Sequence, residues 1–370
     1  MSDEIPEPDR APGAPHPRET MQLIGQDAAE RDFLDAYAGN RLHHAWLISG
    51  PRGVGKATLA WRIARFLLAT PADDGGMFGA PAAPETLDID PEHPVSRRMK
   101  ALSEPRLFLL RRPWDEKAER LKQEITVDEV RRMKGFFSLS ATDGGRRVVI
   151  VDAADEMNVN AANALLKLLE EPPANTILLL VSHQPARLLP TILSRCRALR
   201  CRTLDADEMA RALHAAGVDT GGNAQALAEL SGGSVGAAVR LVTQDGLARY
   251  GDIVAIFGAP RDRQRALKLA DSAVGRANAD RFALLLELFD LFLARVARTG
   301  VSGPPSEAVV DEARLLARLC PDAAASRRWA SAQQVLGARA RHGRAVNLDP
   351  AALILDMVLK IHETAAKTAA

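Results

Sequence analysis

An apolar run, Trp46 to Ser49, stops at Gly50-Pro-Arg-Gly-Val-Gly-Lys-Ala-Thr58, and an amphipathic stretch follows. No other segment restricts the fold as tightly. Gly50, Gly55 and Lys56, with Gly53 between them, make the Gly-x4-Gly-Lys pattern of a phosphate-binding loop. In such a loop backbone N–H groups cradle phosphate and the lysine reaches the outer phosphates. The loop needs a strand before it and a helix after it, which commits this part of the chain to a parallel sheet covered by helices. A hydroxyl normally follows the lysine and holds Mg²⁺. Here that position is Ala57, with Thr58 one step later. The cradle is retained and the metal ligand is lost.

The flanking sequence agrees with that commitment. Leu59, Ile63, Phe66 and Leu67 fall on one helical face. Short apolar runs at Leu107–Leu110, Val148–Val151 and Ile177–Val181 read as core strands. Thr126-Val-Asp-Glu129 is a capping box opening a helix with Val130, Met133 and Phe137 on one side. A helix over Ala161–Glu171 must stop at Pro172-Pro173. Residues 71–95 are rich in Pro, Gly and Ala and read as an insertion loop. Beyond Cys201 the strand signal fades. Short helices surround Ser231-Gly-Gly-Ser234; farther on, Phe282, Leu285, Leu286, Phe289, Leu293 and Val296 form a helical stripe. Asp349 before Pro350 marks a helix start. The 370 residues suit two or three domains. The expected fold class is α/β then all-α, with a disordered tail over 1–20, an α/β domain over 21–203, a small helical domain over 204–245 and a larger helical domain over 246–370.

Composition removes several functions. A net charge of +1 provides no global basic field, so any DNA contact needs a local patch. Aromatic residues make up 4%, which argues against single-strand stacking platforms. Cys196, Cys201 and Cys320 have neither metal spacing nor a paired framework, and fit a reducing cytoplasm. No structural zinc is expected. The start is rich in Pro and mixed charge, without the apolar stretch of a leader.

Two further clusters carry chemistry. Asp152 ends a buried strand, where such folds hold Mg²⁺. The next position, which often bears a water-polarising glutamate, is Ala153; Asp155 and Glu156 read as exposed charges on the following turn. Loss of both the hydroxyl and the glutamate implies hydrolysis slowed by orders of magnitude. Ser194-Arg195-Cys196 offers either a surface arginine or an arginine finger, worth about 10³–10⁵ in rate where such fingers act. His43 and His44 read as packing or capping groups. Arg131, Arg132 and Lys134 could touch DNA backbone or simply form a solvated helix face.

Taken together, Ile24-Gly-Gln26, His43-His-Ala-Trp46, the phosphate loop, Asn160-Ala-Ala-Asn-Ala-Leu-Leu-Lys-Leu-Leu-Glu-Glu-Pro-Pro173 and Ser194-Arg-Cys196 resemble the bacterial clamp-loader branch of the AAA+ family over residues 21 to about 245. The resemblance implies an AAA+ P-loop domain, a small helical lid and a C-terminal helical collar. Motor members place an arginine three positions after the glycine of a Gly-Ser-x-Arg motif to sense phosphate; Gly233-Ser-Val-Gly236 has glycine there. A degenerate, non-motor subunit follows, with Arg195 as a finger acting in trans. Its own site (Gly50, Gly53, Gly55, Lys56, Ala57, Thr58, Asp152) would bind ATP without turnover or be vestigial, with no metal ligand assigned. The implied partners are the ATPase subunits and the delta subunit in a hetero-pentamer, the sliding clamp indirectly, and primed DNA through backbone contacts. An active motor subunit, with Thr58 and Glu156 replacing the lost groups, is the alternative, as is a nucleotide-binding scaffold that does not hydrolyse.

Overall fold

The computed structural model describes residues 6–39, 41–70, 84–138, 145–259 and 262–369. It contains two compact units, one of residues 1–218 with 234–239, the other of residues 219–233 with 240–370.

In the first unit the elements run α1 (Asp27–Ala38), β1 (Ala45–Ser49), α2 (Lys56–Ala69), α3 (Pro94–Lys100), β2 (Leu107–Arg111), β3 (Trp114–Asp115), β4 (Arg120–Leu121), α4 (Val127–Ser138), β5 (Arg147–Asp152), α5 (Val159–Glu170), β6 (Thr176–Ser182), α6 (Pro190–Leu193), β7 (Arg197–Arg200) and α7 (Ala206–Ala215). Strands β3 and β4 form a small antiparallel ribbon, and the others form one parallel sheet in the order β2-β5-β6-β1-β7. Strands β5 and β6 are central and covered on both faces, which is why they are continuous apolar runs. Alternation along the strands splits the core. Trp46, Ile48, Ile150 and Val181 pack with Leu59, Ile63, Phe66 and Leu67 of α2. Leu47, Val149, Val151 and Leu180 pack with Val130 and Met133 of α4 and Leu165 and Leu169 of α5. Each such buried side chain contributes about 1.5–3 kcal/mol. Asn158 caps α5 by accepting the Ala161 N–H at 2.9 Å, and the helix ends before Pro172-Pro173 as expected.

Two expectations change. Of the insertion loop at 71–95, residues 71–83 lie outside the described residues, residues 84–93 have no helix or strand, and α3 begins at Pro94. Of the tail expected to be disordered over 1–20, residues 1–5 lie outside the described residues, but 6–20 are packed on the first unit. His16 is fully buried, its ring edge-on to Trp61 at 5.8 Å. A low apolar content suggested disorder; polar anchoring holds the segment instead, with Arg18 on Glu7 at 2.6 Å and Arg65 donating to the Arg18 carbonyl at 2.7 Å.

The second unit is helical. It comprises α8 (Ala224–Ser231), the end of α9 (Val235–Thr243), α10 (Gly246–Gly258), α11 (Arg263–Asp271), α12 (Ala279–Ser302), α13 (Glu312–Leu319), α14 (Ala323–Ala345) and α15 (Pro350–Ala369). Residues 204–245 are therefore shared, with α7 and the start of α9 in the first unit and α8 in the second. The predicted stripe on α12 is buried except for half-buried Leu286, and Asp349 caps α15 by accepting the Ala352 N–H at 2.8 Å. Phe257 of α10 stacks on Phe292 of α12 at 5.1 Å. The fold class is the expected one, an α/β P-loop domain followed by helices. Among the described residues no helix is long and apolar enough to cross a membrane.

Candidate functional site

The phosphate loop leaves the carboxyl end of β1 and enters α2, as its spacing required. Gly50 and Gly53 have φ of 149° and 77°. A Cβ on Gly50 would lie 2.3 Å from the Cys201 carbonyl oxygen, and one on Gly53 would lie 2.4 Å from Ser234 Oγ, so both positions exclude any side chain. Gly55, with φ of 100°, hands the chain to Lys56 at the first turn of α2. The neighbouring segments hold this loop. Gln26 is buried and donates to the carbonyls of Val54 at 3.1 Å and Arg202 at 2.8 Å, which is what the Ile24-Gly-Gln26 motif does structurally. Ser234 Oγ donates to the Arg52 carbonyl at 2.8 Å, and the Gly236 N–H donates to the Gly53 carbonyl at 3.0 Å.

Lys56 is 3% exposed and its ammonium donates to the Pro51 carbonyl. Burial pulls its pKa down to about 8, against the pull of nearby Asp152 and Asp155. Asp152, at the end of β5, is 6% exposed. Burial, reinforced by Asp9 and Glu156, pushes its pKa up to about 7. Among the described residues, Asp152 Oδ2, Ser182 Oγ and His183 Nδ1 are buried without a hydrogen-bond partner. Burial, together with Lys56 and Arg52, depresses the His183 pKa to about 4. A neutral imidazole therefore faces this cluster at physiological pH.

These groups fit a phosphate-bearing ligand. The glycine loop leaves room for close backbone approach, Lys56 is the cation, and unsatisfied polar atoms stand beside it. They do not fit Mg²⁺ held in the usual way, because Ala57 offers no oxygen and Asp152 holds its proton close to neutral pH. Thr58 follows one step along α2, and Ala153 is buried directly after Asp152. Among the described residues no three His, Cys, Asp or Glu side chains cluster as metal ligands.

Asp155 and Glu156 are not the exposed charges the sequence suggested. Asp155 is buried and accepts the His183 N–H at 2.9 Å. Glu156 is shared by Arg52 at 3.2 Å and Arg112 at 2.7 Å. Both carboxylates are committed to holding the turn after β5. His183 was missed by the sequence reading, although it shares the signal that located Asp152: a polar residue at the end of a buried apolar strand.

The remaining candidates lie elsewhere. The Ala45 N–H donates to His43 Nδ1 at 3.2 Å, His44 Nε2 bonds the Leu169 carbonyl at 3.0 Å, and the two rings stack, so both are packing groups as expected. Arg131 and Arg132 on α4 pair with Asp128 and Glu129 of the same helix, and Lys134 is exposed. Arg195 lies between α6 and β7. Register places Arg197 beside Trp46 and Arg200 beside Ser49, so Arg195 stands at the amino end of the sheet while the phosphate loop leaves the carboxyl end. Its guanidinium donates to the Thr191 carbonyl at 3.0 Å and pairs with Glu170 at 2.9 Å, and its side chain is 35% exposed. The structure thus gathers Gly50, Gly53, Gly55, Lys56, Ala57, Thr58 and Asp152 at one end and leaves Arg195 at the other.

Sequence comparison gives these features a context. The family model described as "DNA polymerase III, delta subunit" matches residues 25–205. The chain is 43% identical over 158 residues to the DNA polymerase III subunit delta' of Pseudomonas aeruginosa, covering 43% of each chain. To the Escherichia coli subunit delta' it is 33% identical over 165 residues, covering 45% of this chain and 44% of that one. The subunit tau of Salmonella typhimurium aligns at 28% identity over 82% of this chain and 48% of its own length. The chain therefore spans less than half the length of these curated relatives. Among solved structures, a gamma subunit-related protein of Thermotoga maritima superposes with a TM-score of 0.38 at 16% identity, over 90% of this chain and 100% of that one.

Proposed function

Through residues 25–205 this chain belongs to the DNA polymerase III delta-prime family, and from that premise we propose that it is a non-motor clamp-loader subunit whose Arg195 completes the ATP site of a neighbouring subunit. The observation that carries this reading is the opposition of Arg195 and its own phosphate loop across the sheet. By the register Arg195 stands level with His44 while the loop begins at Gly50, a separation of about six residues of strand at about 3.3 Å each, so the partly exposed guanidinium lies at the end its own cradle does not use. A site on an adjacent subunit is then its natural substrate-facing position. There the planar guanidinium stabilises charge on the transferring phosphoryl group. Glu170 holds it in the free chain, and a partially exposed pair of this kind costs little to break.

The chain's own site supplies binding without turnover. Bound ATP would place its phosphates against the loop backbone and Lys56; Ala57 and Ala153 leave neither a metal oxygen nor a water-activating carboxylate. In this reading the partners are the ATPase subunits and the delta subunit in a hetero-pentamer, the sliding clamp indirectly and the backbone of primed DNA, with residues 246–370 as the collar and the cytoplasm as the location.

The test is DNA-stimulated ATPase activity of the reconstituted loader. Arg195→Ala is expected to lower turnover at the served site by on the order of 10³-fold with the assembly intact, and Arg195→Lys to rescue little of it. Unchanged turnover in an intact assembly would remove the finger. The retained cradle favours a second role as a nucleotide-bound scaffold; stabilisation by ATP in a thermal shift, with and without Mg²⁺, checks it.

A further inference from the structure

The segment before α1 runs from the carboxyl end of β2, on the side of the sheet where ligands bind in open α/β folds, to α2. Arg111 ends β2 and is the register partner of Asp152. It pairs with Asp9 at 2.5 Å and Glu7 at 3.2 Å. The Asp9 side chain is fully buried and lies 3.2 Å from His16, which is itself buried against Trp61 of α2. Burial pushes the Asp9 carboxyl up, but His16 and Arg111 outweigh it and hold its pKa below the usual carboxylate value. Its negative charge in turn acts on Asp152. A few residues on, Ala11 reaches the rim of the phosphate loop: its Cβ is 3.6 Å from where a side chain on Gly236 would begin, and Gly236 is bonded to Gly53. Lys56, Asp152 and Asp155, the charged groups of the cradle, are all nearly inaccessible.

We propose that residues 7–18 form a strap, pinned by the carboxylates of Glu7 and Asp9, that closes the nucleotide-type site, and that a nucleoside triphosphate must displace it to bind. The proposal rests on reading residues 50–58 as a phosphate cradle. Asp9, which Arg111 holds together with Glu7, places negative charge beside Asp152 in a site meant for phosphates, so strap and ligand compete for the same field. The anchors are polar pairs at the end of β2 and along α2 rather than apolar packing, which suits a contact that exchanges for water and opens without unfolding the core. The closed fraction lowers the apparent affinity for ATP in proportion to how rarely the strap is open.

The test uses the full chain, with ATP as the probe. In the parent, the bonds after Arg10 and Arg18 are expected to resist trypsin and to become cleavable as ATP is added. The double variant Glu7→Ala/Asp9→Ala should be cut there without ATP and bind ATP at least about tenfold more tightly by calorimetry. Arg111→Ala, which frees the same carboxylates from the core side, should behave alike and guards against a fault peculiar to one variant. Bonds that stay protected in both variants would overturn the strap. Open bonds with ATP affinity equal to the parent's would overturn the gating while keeping the cradle. Open bonds with no ATP bound by any form would overturn the proposal together with nucleotide binding, and would leave the role of Arg195 standing.

Discussion

Asp152 and Lys56 are complementary charges that each lose part of their charge to burial. Asp152 is raised from its ordinary 3.8 to about 7, chiefly by desolvation. Between these values the folded state keeps a proton that the unfolded state has released. Its contribution to stability is therefore full below about pH 4 and is lost as pH rises through 7. Asp152→Asn cannot ionise and removes that loss. The variant should exceed the parent by roughly 2–4 kcal/mol at pH 8 and lose the advantage near pH 4, in urea unfolding followed by the buried Trp46 and Trp61. Equal pH profiles would mean that Asp152 is charged and well solvated in the folded chain. The loop and Asp152 were legible as residues; the protonation of Asp152 was not, because it depends first on burial by the tertiary packing and then on Asp9 and Glu156 beside it.

Among the elements, the contact between the phosphate loop and the start of α9 decides the character of the site. The sequence showed only that an arginine is missing at Gly236. The structure supplies a reason, since a Cβ there would come within 3.2 Å of Gly53 Cα and the two backbones are hydrogen-bonded. The position expected to carry a phosphate sensor is a backbone seal. Gly53→Ala should cost about 1–3 kcal/mol, combining an unfavourable φ with the clash on Ser234 Oγ. The same tryptophan-detected unfolding measures it, and a loss below a few tenths of a kcal/mol would show that the seal is loose.

At the scale of the whole molecule the helical unit has its own stabilising core. Glu312 is 0% exposed, accepts from Tyr250 Oη at 2.6 Å and pairs with buried Arg295 at 2.6 Å. Removing Glu312 leaves buried Arg295 with only Glu229 at 3.5 Å and the Ser306 carbonyl at 2.6 Å, at a cost of about 3 kcal/mol. Glu312→Ala should therefore accelerate amide hydrogen exchange in peptides from α10, α12 and α13 while β1, β5 and β6 keep their protection. Equal loss in both would mean that the two units unfold as one. The helical stripe of α12 was plain from its period, but Arg295 lies on that buried face and reads as an interruption until Glu312 is placed opposite it.

Local patterns determined the α/β class, the strand-loop-helix around Lys56, the loss of the metal hydroxyl and the helical C-terminal part. Each follows from periodicity or from backbone geometry that only certain residues allow, and such signals are carried by neighbours in the chain. Tertiary structure alone decided that Asp155 and Glu156 are engaged, that His183 joins the site, that Arg195 stands opposite its own loop and that residues 6–20 are packed. Those are statements about pairs far apart in sequence. Charge pairing and sheet register bring them together, and neither leaves a periodic trace along the chain.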